Sequence, residues 1–189
     1  MAVNAAYRIA GARPRDLPLI AHIERAAATL LAGHAPADVL DEVTPEQELQ
    51  RAQCAGRLWL ALKEDTPVGF VHVELLETDA AHLEEIDVHP DHGRRGLGTR
   101  LVQEACDWAG RSGYRFVTLT TFRDVPWNMP FYARLGFEET PAAALSPVLR
   151  SVLADEARRG LDPVRRVAMR LRTTWLADAA SRSREKPAA

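Results

Sequence analysis

A strand-like run, HLEEIDV at residues 82 to 88, is stopped by Pro90 and followed by HGRRGLG. A helical run from 96 to 112 comes next, with Leu97, Leu101, Val102, Ala105, Trp108 and Ala109 on one face. A second strand, YRFVTLTTF, rich in β-branched residues, closes the unit at 114 to 122. Strand, helix and strand in this order dictate a parallel pair joined by a right-handed crossover. Few folds accommodate that unit together with what precedes it. RLWLALKEDTPVGFVHVELLE, from 57 to 77, reads as a hairpin that leads directly into strand 82 to 88. Three strands on short links predict an antiparallel core, so the sheet is mixed.

The flanks fill the remaining layers. AYRIAGA is a short first strand, and the alanine- and leucine-rich run 13 to 31 is a helix. Residues 32 to 43 form a loop. TPEQELQRAQCAG carries a helix-start pattern, with Thr44 as N-cap, Pro45 at the first helical position and Gln47 closing a capping box. NMPFYARLG is a short helix capped by Gly136, LSPVLRSVLADEARRG another helix, and RRVAMRLRT a last strand. The chain of 189 residues suits one domain, taken here as 1 to 175 with a disordered tail at 176 to 189.

A net charge of −2 gives no general electrostatic case for nucleic acid or for a membrane surface. No apolar run is long enough for a transmembrane helix, and the first residues lack signal-peptide order. Cys54 and Cys106 lie far apart with no metal-type spacing, which fits a reducing cytoplasm. Cys106, at the edge of an apolar helix face, is expected to be buried and inert. His89 and His92 are three residues apart without a matching third ligand, so no metal is expected.

The glycines Gly93, Gly96 and Gly98 let backbone N–H groups approach a ligand at a helix N-terminus. Unpaired donors and the partial positive charge there suit a phosphate, and Arg94 and Arg95 add fixed charge. No Lys-Ser or Lys-Thr follows the loop, which excludes a Walker A sequence. A Rossmann fingerprint begun at Gly96 would need glycine or alanine where Leu101 stands.

IDVHPDHGRRGLGTRLVQEACDWA, followed by LTTFRDVPWNMPFYARLGF, resembles the two signature motifs of the GNAT superfamily of acetyl-CoA-dependent N-acetyltransferases. The resemblance is strongest from about 67 to 140. It implies an α/β (α+β) GNAT fold, a mixed and mostly antiparallel sheet of six to seven strands with helices on both faces. That sheet is splayed between strands 82–88 and 114–121. It further implies acetyl-CoA as co-substrate without a metal. The backbone of Arg94, Arg95, Gly96, Gly98 and Thr99 would hold the pyrophosphate, and main-chain groups of Ile86 and Val88 the pantetheine arm. Asn128 resembles the motif's cofactor-contacting asparagine, at a shorter spacing from Tyr132 than many members show. Gly93 stands where the family carries glutamine or arginine, a contact that Arg94 could supply instead.

Acetyl transfer to an amine needs a base for the amine proton and a donor for the departing thiolate. Tyr132 occupies the general-acid position of the motif and is protonated at neutral pH. Strict alternation places His82, Glu84, Ile86 and Val88 on one face of their strand and Leu83, Glu85 and Asp87 on the other. The resemblance implies a base, or a residue that holds a base water, at His82 or Glu84; Glu84 is the expected base, with His82 as a relay. Glu85 takes that place if a bulge shifts the register. Segments 32 to 43 and 141 to 163 would border the acceptor cleft. The acids of loop 32 to 43, with Glu84 and Glu85, would favour a cationic amine, and the helix at 145 to 160 would either wall the amine site or pack against a second subunit in a homodimer. The reading is an N-acetyltransferase acting directly on a primary amine in a ternary complex. The alternative is a non-catalytic acyl-CoA-binding or sensing module.

Overall fold

The structure is a computed structural model and describes residues 7–173; the expected disordered tail at 176 to 189 lies outside the described residues. Four antiparallel or parallel pairings organise the first five strands: β1 (Tyr7–Gly11), β2 (Leu58–Lys63), β3 (Thr66–Glu74), β4 (Ala80–Val88) and β5 (Phe116–Phe122) lie in that order. β1 to β4 run antiparallel to their neighbours, and β4 pairs with β5 in parallel, as the strand–helix–strand order requires. β7 (Arg166–Arg172) inserts antiparallel between β5 and a two-residue strand, β6 (Glu138–Glu139), to give seven strands.

The helices are α1 (Ile20–Ala28), α2 (Ala37–Leu40), α3 (Glu46–Cys54), α4 (Leu97–Arg111), α5 (Met129–Arg134) and α6 (Pro147–Arg158). They divide the core into two layers. On one side of the sheet α4 buries Leu97, Leu101, Val102, Ala105 and Ala109 against Val71, Val73, Leu83 and Val117. On the other, Ile20 and Ile23 of α1 with Leu49 and Ala52 of α3 pack on Leu58, Leu60, Leu62 and Phe70. Each fully buried Leu, Ile, Val or Phe contributes about 1.5–3 kcal/mol relative to exposure. β2 and β3, covered on both faces, are therefore almost continuously apolar.

Local expectations changed in three places. The helix expected across 13 to 31 is divided: Pro14–Leu19 and Thr29–Leu31 are 3-10 turns around α1. Pro18 lacks the N–H that a continuous α-helix would use. The expected loop 32 to 43 contains the single turn α2. The capping box at Thr44 does not form. α3 begins at Glu46 after Pro45, with no side-chain cap, because the Thr44 hydroxyl is engaged by Glu24 and Glu85.

Candidate active site

β4 pairs with β5 only through Ala80, Ala81 and His82, opposite Phe116, Val117 and Thr118. From Leu83 onward the two strands part, while β5 continues to Phe122 on β7. The register of β4 on β3 jumps at the same place: His72 faces Glu85 and Val73 faces Leu83, which leaves Glu84 as the extra residue of a bulge. A bulge bends its strand and increases local twist, so it draws β4 away from β5. The gap opens where the family resemblance implied a splay.

The bulge also corrects the face assignment. Leu83, Ile86 and Val88 pack in the α4 layer. His82, Glu84 and Glu85 turn the other way: Glu85 reaches Thr44 beside α1, and Glu84 Oε2 lies 4.0 Å from His82 Nε2. Glu84 does not share a face with Ile86 and Val88, as strict alternation required. Glu84 and Glu85 lie together on the α1 face, and the inserted residue is the reason.

These groups differ electrostatically. The Glu84 side chain is 47% exposed, yet its pKa is raised by the desolvation of its surroundings and by the nearby negative charges of Glu74, Glu48 and Glu156. His82 is buried and shares a 3.0 Å hydrogen bond with the Thr118 hydroxyl through Nδ1. Burial lowers its pKa to about 4, so the ring is neutral at pH 7. Burial and the charges of Asp87 and Glu24 hold Glu85 well above the ordinary carboxylate range. Burial and Glu24 raise Asp87 to about 7.

Glu24, Thr44 and Asp87 were not among the candidates. The Thr44 hydroxyl is 2.6 Å from Glu24 Oε1 and 2.8 Å from Glu85 Oε2. One hydroxyl carries one proton, so the pair of contacts requires a protonated carboxyl on one side. The available signal was Glu24 itself, in register with Ile20, Ile23 and Ala27 on the buried stripe of α1.

Tyr132 is buried against Phe131 and Phe137, and its hydroxyl makes no hydrogen bond to a described residue. Burial, reinforced by Asp87, raises its pKa, so the phenol stays protonated. Asn128 starts α5: its carbonyl accepts the N–H groups of Phe131 and Tyr132, and its side chain makes no capping bond. A Cβ at Gly98 would touch the Phe131 ring at 3.5 Å, so the start of α4 and α5 are packed edge to edge.

The glycine loop has the shape of an anion cradle. Arg94 and Gly96 both adopt left-handed φ, 57° and 75°, and Gly96 stands immediately before α4 with no side-chain cap. The first N–H groups of α4 are therefore unclaimed by any capping side chain. The two arginines diverge. Arg95 lies over the Tyr7 ring at 5.9 Å, while exposed Arg94 makes no ion pair with a described residue. Thr99 is half-buried in the first turn. At Gly93 a Cβ would come within 3.1 Å of the Pro90 carbonyl oxygen, which accepts the Gly93 N–H. Gly93→Arg is therefore expected to leave CoA affinity unimproved in a titration and to cost about 1 kcal/mol of stability. A tighter complex would show that the missing side chain matters more than the crowding.

Cys106 is half-buried and its thiol is pushed up to about 12 by burial; Cys54 is exposed. His89 and His92 meet edge to face with ring centroids 5.9 Å apart, and His92 Nδ1 meets the Tyr7 hydroxyl at 2.9 Å. Among the described residues no helix is long and apolar enough to cross a membrane.

A bulged strand parting from its parallel neighbour, beside a glycine loop at a helix start, makes a cleft that leads to an anion cradle. The model of the acetyltransferase (GNAT) family matches residues 22–137, and the chain belongs to that family. An uncharacterized N-acetyltransferase of Methanocaldococcus jannaschii is 38% identical over 79 residues, 39% of this chain and 35% of that relative. The chain thus spans about a third of the curated relative it matches. The PaiA N-acetyltransferase of Thermoplasma acidophilum, solved with coenzyme A, superposes with a TM-score of 0.68 at 16% identity, over 88% of this chain and 98% of its own. N-acetylglutamate synthase of Neisseria gonorrhoeae, solved with coenzyme A and N-acetyl-glutamate, gives 0.68 at 18%, over 90% of this chain and 36% of its own. The recognition and the fold expected from the sequence are both borne out.

Proposed function

We propose that the protein transfers the acetyl group of acetyl-CoA directly to a primary amine held in the same complex. The observation that carries this reading is the gap between β4 and β5, which has Glu84 at its opening and Tyr132 buried nearby. The pyrophosphate rests on the backbone of residues 94 to 99, with Arg94 adding charge and Asn128 closing the far side. The pantetheine arm lies along Ile86 and Val88, whose edge toward β5 is unpaired.

Glu84 takes the proton of the incoming ammonium. The neutral nitrogen attacks the thioester carbonyl carbon, the C–S bond breaks, and the thiolate takes a proton from Tyr132. The phenolate is reprotonated from solvent, while Glu84 releases the ammonium proton. His82 is neutral and bonded to Thr118, so it stands beside Glu84 without competing for the proton. A raised pKa suits Glu84, because a base works best near the operating pH.

The test is release of free thiol from acetyl-CoA with a panel of primary amines. Glu84→Gln is expected to lower kcat/KM by about 100-fold and to abolish the acidic limb of its pH profile. If only Glu85→Gln does so, the bulge presents the other carboxylate. Tight CoA binding without thiol release for any amine would support the sensing module instead.

A further inference from the structure

We infer that Thr44 is a positioning residue: it ties the Glu85 carboxyl back onto α1, and so leaves Glu84 as the carboxylate of the bulge that is free to meet the acceptor. This rests on the acetyl-transfer reading above.

The bulge creates a choice. It turns Glu84 and Glu85 to the same side of β4, so two adjacent carboxyls stand beside one gap. Their surroundings differ. The Glu84 side chain is 47% exposed, and its approach to His82 Nε2, at 4.0 Å, is too long for a hydrogen bond. Its carboxylate is therefore able to turn toward an incoming ammonium. Glu85 is held: its Oε2 lies 2.8 Å from the Thr44 hydroxyl.

Thr44 can hold Glu85 because it is itself fixed. Its N–H donates to Glu24 Oε1 at 3.0 Å, and its hydroxyl lies 2.6 Å from the same oxygen. Glu24 stands on the buried stripe of α1 and is 3% exposed. Pro45 biases the backbone of Thr44 toward extended conformations, and a β-branched side chain has few rotamers. The hydroxyl is thus aimed at β4. It is also withheld from α3, which starts without the side-chain cap that a threonine there would supply, a loss of about 1 kcal/mol. The single hydroxyl proton leaves one of its two carboxyl neighbours to carry a proton of its own. Glu85 shares in that arrangement and is ill placed to accept another proton, whereas Glu84 lies outside it.

The competing explanation is that the bond only holds the α2–α3 connection on β4. The full chain is assayed for thiol release from acetyl-CoA with butylamine, benzylamine and alanine amide, and the fastest of them is carried forward. Glu84→Gln is then compared in three backgrounds. In the parent it should cost about 100-fold in kcat/KM. In Thr44→Val the released Glu85 turns into the gap and takes over, so the cost should fall to about 10-fold or less. Thr44→Ser keeps the hydroxyl and should restore the full loss; Thr44→Ala replaces the valine variant should that one not fold. Equal losses in all backgrounds overturn the positioning role and leave acetyl transfer standing. A loss in the parent from Glu85→Gln, and not from Glu84→Gln, overturns the positioning role and the choice of base together. If none of the amines releases thiol although CoA binds, the transfer reading fails, and a readout that needs no acceptor decides the positioning. In an NMR titration of the Glu85 carboxyl carbon, release toward solvent should move its midpoint down toward the ordinary carboxylate range in Thr44→Val and not in Thr44→Ser. An unchanged or higher midpoint means that Glu85 stays against α1 without the hydroxyl, and it overturns the inference.

Discussion

Tyr132→Phe is expected to lower kcat by about 100- to 1,000-fold while CoA affinity and melting temperature stay close to those of the parent. The substitution removes one oxygen and keeps the ring. The ring packs between Phe131 and Phe137, and that packing survives. The hydroxyl makes no hydrogen bond to a described residue, so its loss breaks no bond among them. Its proton is held firmly: burial raises the pKa, and the charges of Asp87 and Glu85 raise it further. A group so placed stays protonated over the whole physiological range. The variant therefore loses rate equally across pH, whereas Glu84→Gln changes the shape of the profile. Thiol release at saturating substrates, a CoA titration and a melting curve measure the three quantities. Unchanged turnover would remove Tyr132 from the mechanism, and a lower melting temperature would give its hydroxyl a structural role.

The backbone of the expected cofactor side is local, and that made its conformation legible. The Gly96 turn, the Asn128 N-cap and the Gly136 end of α5 are set by backbone conformations that nearby residues impose. The parallel crossover follows from element order alone. The acceptor side is not local. Alternation fixes the faces of β4 only if the strand is regular, and nothing in HLEEIDV marks which residue is the extra one. The register against β3 decides it, and that depends on a strand about ten residues upstream. Thr44 has all the features of an N-cap, and the tertiary contact with Glu24 and Glu85 overrides them. Glu24 was visible as an acid on an apolar stripe, but its partners come from residues 20 and 61 positions away.

Arg166→Met is expected to destabilise the protein by about 3–5 kcal/mol, a fall in melting temperature of about 10 °C. Arg166 and Glu156 are each 10% exposed and joined by two bonds, at 2.6 and 2.8 Å. The guanidinium also donates to the Thr120 hydroxyl at 3.2 Å and covers the Phe122 ring at 4.6 Å. Methionine preserves much of the stem's packing but leaves the Glu156 carboxylate buried without a counter-charge. Two charges that were expensive to bury together become one that is more expensive to bury alone. Adding Glu156→Leu should recover most of the loss, because an apolar pair can replace a buried ion pair at little cost. The pair holds α6 on β5 and β7, and Arg159 next to that helix is paired with Glu42 of the α2 loop. Arg165 reaches His34 of the same loop at 2.9 Å. Both rims that were expected to border the acceptor thus hang on this end of the sheet. The single variant, assayed below its melting temperature, should raise the KM for the amine more than that for acetyl-CoA. The glycine loop lies on the opposite helix, and the broken pair does not touch it. Equal rises in both constants would mean that α6 supports the fold without shaping the acceptor cleft.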